Sequence, residues 1–130
     1  MRFILSIATA IALSSAFIAK AEGPRLQLLD KELDLGSFSK FNPKSGTIRY
    51  KNVGDSALVI LRVTADCGCT GVRYSREPLP PDSIGEIRVT FDGNGRPEGK
   101  FRKMIRIRSN SDNGTEAAFI TGHIKRSLVR

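Results

Sequence analysis

Two cysteines, Cys67 and Cys69, stand one residue apart in Ala65-Asp66-Cys67-Gly68-Cys69-Thr70-Gly71, and the chain has no others. Thiols at this spacing can do three things. They can fix a turn, either as buried apolar thiols or as a disulfide, if Gly68 lets the Cα atoms approach within about 7 Å. They can act as attacking and resolving thiols of a labile redox pair. Or they can offer two soft thiolates to Cu(I), with Met104 and His123 as the other candidate donors. A redox thiol needs a depressed pKa, whereas no helix N-terminus is predicted here, Asp66 opposes a thiolate, and Arg73 is the only close cation. A metal needs more donors: nothing in the sequence brings Met104 or His123 to the turn, and a zinc site lacks two further protein ligands. As a staple the pair is weak, because a closed loop of three residues contributes about 1.6 kcal/mol against about 3 for fifteen.

The other chemistry-bearing groups give less. His123 is the only histidine, it alternates opposite Ile124 toward solvent, and no serine lies in a Gly-x-Ser-x-Gly elbow. Gly93-Asn94-Gly95 is turn material with no following helix to cradle a phosphate. Hydrolase chemistry therefore has little support, and neither an enzyme nor a cofactor is expected. Arg49, Lys51, Arg88, Arg102, Arg106 and Arg108 all project from outward strand positions and form a basic surface if their strands adjoin; a solvated, edge-protecting face is the plainer reading.

The elements that must position the cysteine turn are strands. Period-two alternation runs through Leu33–Phe38, Thr47–Asn52, Ile84–Asp92, Phe101–Arg108 and Thr115–Ile124, with a short edge segment at Arg25–Leu29. Ile48 and Tyr50, then Ile87, Val89 and Phe91, then Ile105 and Ile107, then Ala118, Ile120 and Ile124 face the core. Ala57–Ala65 is the most apolar segment, with Val59, Leu61, Val63 and Ala65 on one face, and its apolar character on both faces predicts a strand inside a sheet. Val72-Arg73-Tyr74 is a short extension after the cysteines. Glu77-Pro78-Leu79-Pro80-Pro81-Asp82 cannot be interior strand, because proline lacks the ladder donor. No window keeps a helical stripe, so the pattern predicts an all-β, immunoglobulin-like sandwich of about seven strands. Cysteines two positions apart cannot bridge two sheets about 10 Å apart, so apolar packing must hold them together.

The first residues set the compartment. Met1-Arg2, an apolar run from Phe3 to Ala19, and Ala19-Lys20-Ala21 read as a secretory signal peptide over residues 1–21, leaving one domain over 22–130. A 17-residue run sits at the bottom of the membrane-spanning range, and the rival reading is a retained anchor. Of 21 basic residues, Arg2 and Lys20 leave with the leader, so 19 face 13 acidic ones, an excess of six. An exported, periplasmic or secreted basic domain meets other proteins and anionic envelope components rather than nucleic acid, and is not an integral membrane protein once cleaved.

Taken in order, Asp34-Leu35-Gly36, Lys51-Asn52-Val53-Gly54, Asp66-Cys67-Gly68-Cys69-Thr70, Glu77-Pro78-Leu79-Pro80 and Phe101–Asn110 resemble the bacterial DUF1573 family over roughly residues 33–124. The resemblance implies an immunoglobulin-type domain related to ASH and HYDIN-like modules in exported proteins, and it implies no activity. One departure stands out: Pro81-Asp82 occupies the place where the family commonly has Pro-Gly. The expectation is an exported, non-catalytic module that binds a protein or an envelope component through a sheet edge or the cysteine loops. Thiol redox or Cu(I) handling at Cys67-Gly68-Cys69 is the alternative.

Overall fold

The computed structural model describes residues 22–126. The expected leader over 1–21 and the basic tail over 127–130 lie outside the described residues. Eight strands follow one another: β1 (Leu26–Leu28), β2 (Glu32–Ser39), β3 (Lys44–Asn52), β4 (Ile60–Ala65), β5 (Thr70–Tyr74), β6 (Ile84–Phe91), β7 (Gly99–Ser109) and β8 (Thr115–Lys125). One sheet has the order β1-β3-β6-β5, the other β2-β8-β7-β4. The pairs are antiparallel except β2–β8, which is parallel. This is an immunoglobulin-like β-sandwich. The segment after the cysteines is a strand in its own right, which raises the expected seven to eight.

Alternation decides the core. Ile48, Ile87, Val89, Ile105, Ile107, Ala118 and Ile120 are wholly buried between the sheets. Each buried valine or isoleucine contributes about 1.5–3 kcal/mol, so a few of them outweigh any three-residue disulfide loop. Tyr50 lies inward over Gly85, its cross-strand partner, where a Cβ would collide with the phenol ring. Burial pushes the Tyr50 hydroxyl's pKa up. At one end Phe91 of the first sheet stacks on Phe101 of the second at 4.1 Å, and Phe38 meets both edge-on at 5.9 Å. These rings tie the sheets together on the side where the cysteine turn crosses.

The opposite end is tied by a polar group. Asn52 is completely buried, and its side chain is saturated. Its Nδ2 donates to the carbonyls of Ser56 (2.7 Å) and Leu79 (2.9 Å), and its Oδ1 accepts from the amides of Gly54 (3.0 Å) and Arg25 (3.3 Å). One side chain thus pins the entry to β1, the loop after β3 and the proline-rich loop. That last loop returns through a turn in which the Ser83 amide donates to the Pro80 carbonyl at 3.2 Å. Asp82 takes φ +66° at the third position, which a type II turn reserves for glycine or a tolerant residue. Aspartate thus does here the backbone work for which glycine is the default.

Two strands depart from simple alternation. In β2 the register with β8 shifts between Asp34 and Ser37, where Gly36 adopts φ +74° and donates its amide to Asp34 Oδ1 at 2.8 Å. In β4 the register with β7 shifts between Ile60 and Arg62. The expected inward face of Val59, Leu61, Val63 and Ala65 is therefore wrong over its first half: Leu58 and Ile60 are buried and Leu61 is 46% exposed, while Val63 is again inward. One extra residue moves the following side chains to the other face. The strand is also not interior, since β4 stands at the margin of its sheet.

Candidate functional site

The turn Asp66–Cys69 carries the chain from β4 in one sheet to β5 in the other. Cys67 and Cys69 form a close pair with Cα atoms 5.2 Å apart, within reach of a disulfide. Cys69 is buried and Cys67 half-buried, both packed on the end of the core. The Cys69 amide donates to Cys67 Sγ at 3.1 Å, the Thr70 amide to the Cys67 carbonyl at 3.2 Å, and the Asp92 amide to the Cys69 carbonyl at 2.8 Å. Gly68 is exposed, has ordinary negative φ, and a Cβ there would meet nothing, so the turn does not depend on glycine.

The charges around the turn differ from the sequence expectation. Asp66 is bound by Arg106 at 3.1 Å, whereas Arg73 points away from the turn, directly across from Arg88 on the outer face of the first sheet. Met104 does arrive: its carbonyl accepts the Asp66 amide at 3.2 Å. Its side chain, however, shares the outer face with Asp66, and strand alternation puts Cys67 on the inner one. His123 lies beside Ser37 and Lys100 instead. Among the described residues no group of three or more His, Cys, Asp or Glu side chains is placed to hold a metal ion.

The turn also sits between two sheet margins, β4 and β5. Of the four terminal strands, β1 has three residues and its Leu26 carbonyl accepts Asn113 Nδ2 at 2.9 Å, and β2 and β4 are bulged. Of the three longer ones, only β5 pairs without a shift. Its hydrogen-bonding parity follows from the Asp92 amide on the Cys69 carbonyl. Bonded pairs alternate along an antiparallel ladder, so Gly71 and Arg73 bond to β6 while Val72 and Tyr74 turn their amides and carbonyls to the open side. Val72 and Tyr74 also face inward and remain half-buried, so apolar surface there is still uncovered.

The six basic residues do not form one surface. Arg49, Lys51 and Arg88 lie on the outer face of the first sheet, and Arg102, Arg106 and Arg108 on that of the second. Arg49 is engaged by Asp30 at 3.0 Å and lies opposite Glu86, and Arg102 lies over the Phe119 ring at 3.8 Å. Sequence reading also missed a cleft of about 350 Å³ in which Ser37 Oγ and His123 Nδ1 are 3.5 Å apart, with Asp34 and Lys100 in its lining. The two residues meet through the parallel β2–β8 pairing, 86 positions apart, which leaves no local signal. The Asp34 carboxylate is bonded to the Gly36 amide, not to the imidazole, so no triad is assembled.

Residues 26–124 match the family described as "Protein of unknown function (DUF1573)". The chain belongs to the DUF1573 family. No curated protein matches it in sequence. Among solved structures, a protein of unknown function from Porphyromonas gingivalis W83 superposes with a TM-score of 0.69 at 17% identity, covering 85% of this chain and 51% of that one. The chain thus spans about half that protein's length. The ASH/PapD-like domain 7 of human CEP192 gives 0.64 at 9% identity, covering 78% and 86% of the two chains. The periplasmic chaperone SfaE gives 0.62 at 8%, covering 82% and 60%. At these identities the likeness is one of fold. Among the described residues no helix is long and apolar enough to cross a membrane.

Proposed function

We propose that this DUF1573 domain is an exported, non-catalytic binding module that receives an extended segment of a partner protein along β5, beside the Cys67–Cys69 turn. The observation that carries the reading is the β5 margin itself: unbulged, with free amides and carbonyls at Val72 and Tyr74 and half-covered apolar side chains at the same two positions. Strand addition uses these features, main-chain bonds for affinity and alternate side chains for selectivity. The periplasmic-chaperone fold among its structural neighbours, and the leader-like residues 1–21, support the exported setting.

Val72→Pro tests it. The substitution removes an amide that faces outward and leaves the β6 ladder intact, so the sandwich keeps its β-type circular dichroism. Capture from a periplasmic extract, with a photo-crosslinker at Arg73, should recover a reproducible partner with the wild type and lose it with Val72→Pro. Recovery of no partner, or equal recovery by both, refutes the reading.

A second reading is favoured by the half-exposed position of Cys67. In it a partner dithiol attacks the bridge, the partner is oxidised to a disulfide, and Cys67 and Cys69 are released as thiols. Alkylation mass spectrometry across a redox titration separates the two. A pair that never exchanges eliminates thiol chemistry, and failure of the reduced pair to bind Cu(I) eliminates copper handling.

A further inference from the structure

The outer face of the second sheet carries an arrangement that folding alone does not call for. Cross-strand register places Arg62 of β4 directly opposite Arg108 of β7, and Arg108 opposite Thr115 of β8. One step along, Thr64 stands opposite Arg106. These five side chains line a cleft of about 210 Å³. Like charges directly opposite each other on neighbouring strands destabilise a sheet. Arg106 is compensated by Asp66, but no described carboxylate is bonded to Arg62 or Arg108.

We infer that this cleft binds a phosphate-type oxyanion, held chiefly by Arg62 and Arg108 with the Thr64 and Thr115 hydroxyls as further donors. The chemistry fits the donors: guanidinium forks pair with phosphate oxygens through two parallel bonds, and hydroxyls complete the shell of an anion that accepts from several sides. A bound anion also removes the repulsion that the empty arrangement retains. The first sheet offers a built-in comparison. Arg73 and Arg88 are likewise opposed there, but the same face carries Glu86 and the Asp30–Arg49 pair. The inference goes beyond the strand-docking proposal and does not rest on it, since β5 belongs to the other sheet.

Calorimetric titration of the purified chain with inorganic phosphate and with pyrophosphate at low ionic strength tests the site, with co-sedimentation on phosphatidylglycerol and on phosphatidylcholine vesicles as a second arm. Saturable binding is expected, weakened about tenfold or more by Arg62→Gln or Arg108→Gln, as loss of a charge-assisted bond implies. Arg88→Gln and Val72→Pro should leave it unchanged. Each Arg→Gln variant keeps its stem on an exposed strand face, and its urea midpoint at low salt should stay or rise, which separates lost binding from lost folding. Saturation by the soluble anions supports a free or polymer phosphate. Co-sedimentation with phosphatidylglycerol alone, lost in the same two variants, supports a lipid head group. No saturable binding in either arm, or an equal loss in Arg88→Gln, overturns the inference.

Discussion

Replacing Asn52 is the substitution whose cost the structure defines best. The side chain makes four hydrogen bonds inside the protein and has no exposed surface. At about 0.5–1.5 kcal/mol net for each bond, Asn52→Ala removes roughly 2–6 kcal/mol. The orphaned partners decide where in that range it falls. Ser56 and Arg25 are exposed, so their groups can rehydrate, whereas Gly54 is buried and its amide cannot. We expect a loss of about 3 kcal/mol, a large part of the roughly 5–15 kcal/mol that holds a domain folded. Asn52→Asp should be worse, because it sets a carboxylate oxygen against two carbonyls in a buried site, and about 4 kcal/mol is expected. Asn110 is the control. It also bridges segments, to the Val59 amide and the Ala57 carbonyl, but it is exposed, and Asn110→Ala should cost about 1 kcal/mol or less. Urea unfolding with an unchanged m-value reads all three. A loss below about 1 kcal/mol for Asn52→Ala, or equal losses at Asn52 and Asn110, would refute the reasoning.

Three further outcomes follow from individual residues. Asp82→Gly should be more stable than Asp82→Ala by about 0.5–1 kcal/mol in thermal or urea melts, because both variants lack the carboxylate and only alanine strains the left-handed backbone; the reverse order would contradict the turn assignment. The Arg49 guanidinium, and then its backbone amide, hold the Asp30 carboxyl below the ordinary carboxylate range. With the folded pKa depressed, this contribution is complete above about pH 4 and disappears as pH falls through the folded value. Asp30→Asn should therefore flatten the acid limb of the stability–pH curve, and coincident limbs for the two proteins would exclude the effect. Reducing the Cys67–Cys69 pair should cost no more than about 1.6 kcal/mol, less than Ile107→Ala at about 2–5, as compared by urea melts with and without reductant, and the reverse order would give the cysteines the leading structural role.

Much of this fold is legible in the residues because most strands obey one rule. In β3, β6, β7 and β8 a single parity of apolar positions coincides with the buried face, since each is flanked on both sides by other strands and packs across one core. The rule fails where the backbone changes phase. Leu61 sits at an interruption of the β4 ladder, so apolar residues appear on both parities and imitate an interior strand. Asn52 reads as turn chemistry because the sequence shows an Asn beside a Gly. Its burial depends on carbonyls as distant as that of Leu79, which only the assembled loops supply. The arginine cleft was half visible: Arg106 and Arg108 are seen to share a face, but Arg62 enters only when the β4–β7 register is known. The cysteine turn, by contrast, is legible as the close of the apolar strand and as the passage between the sheets.

The position of β8 between β2 and β7 bears on how the chain must be made. Every member of the first sheet has been synthesised by Phe91, whereas the second waits for a segment that begins at Thr115. Until those last residues emerge, β2 has no sheet neighbour, and only β4 and β7 are there to cover the greasy side of the finished sheet. A chain stalled at Asn113 is thus a protease substrate and not a smaller version of the protein. Limited digestion of such a truncation would show it, for survival of residues 26–91 as a resistant fragment would mean that the first sheet stands alone.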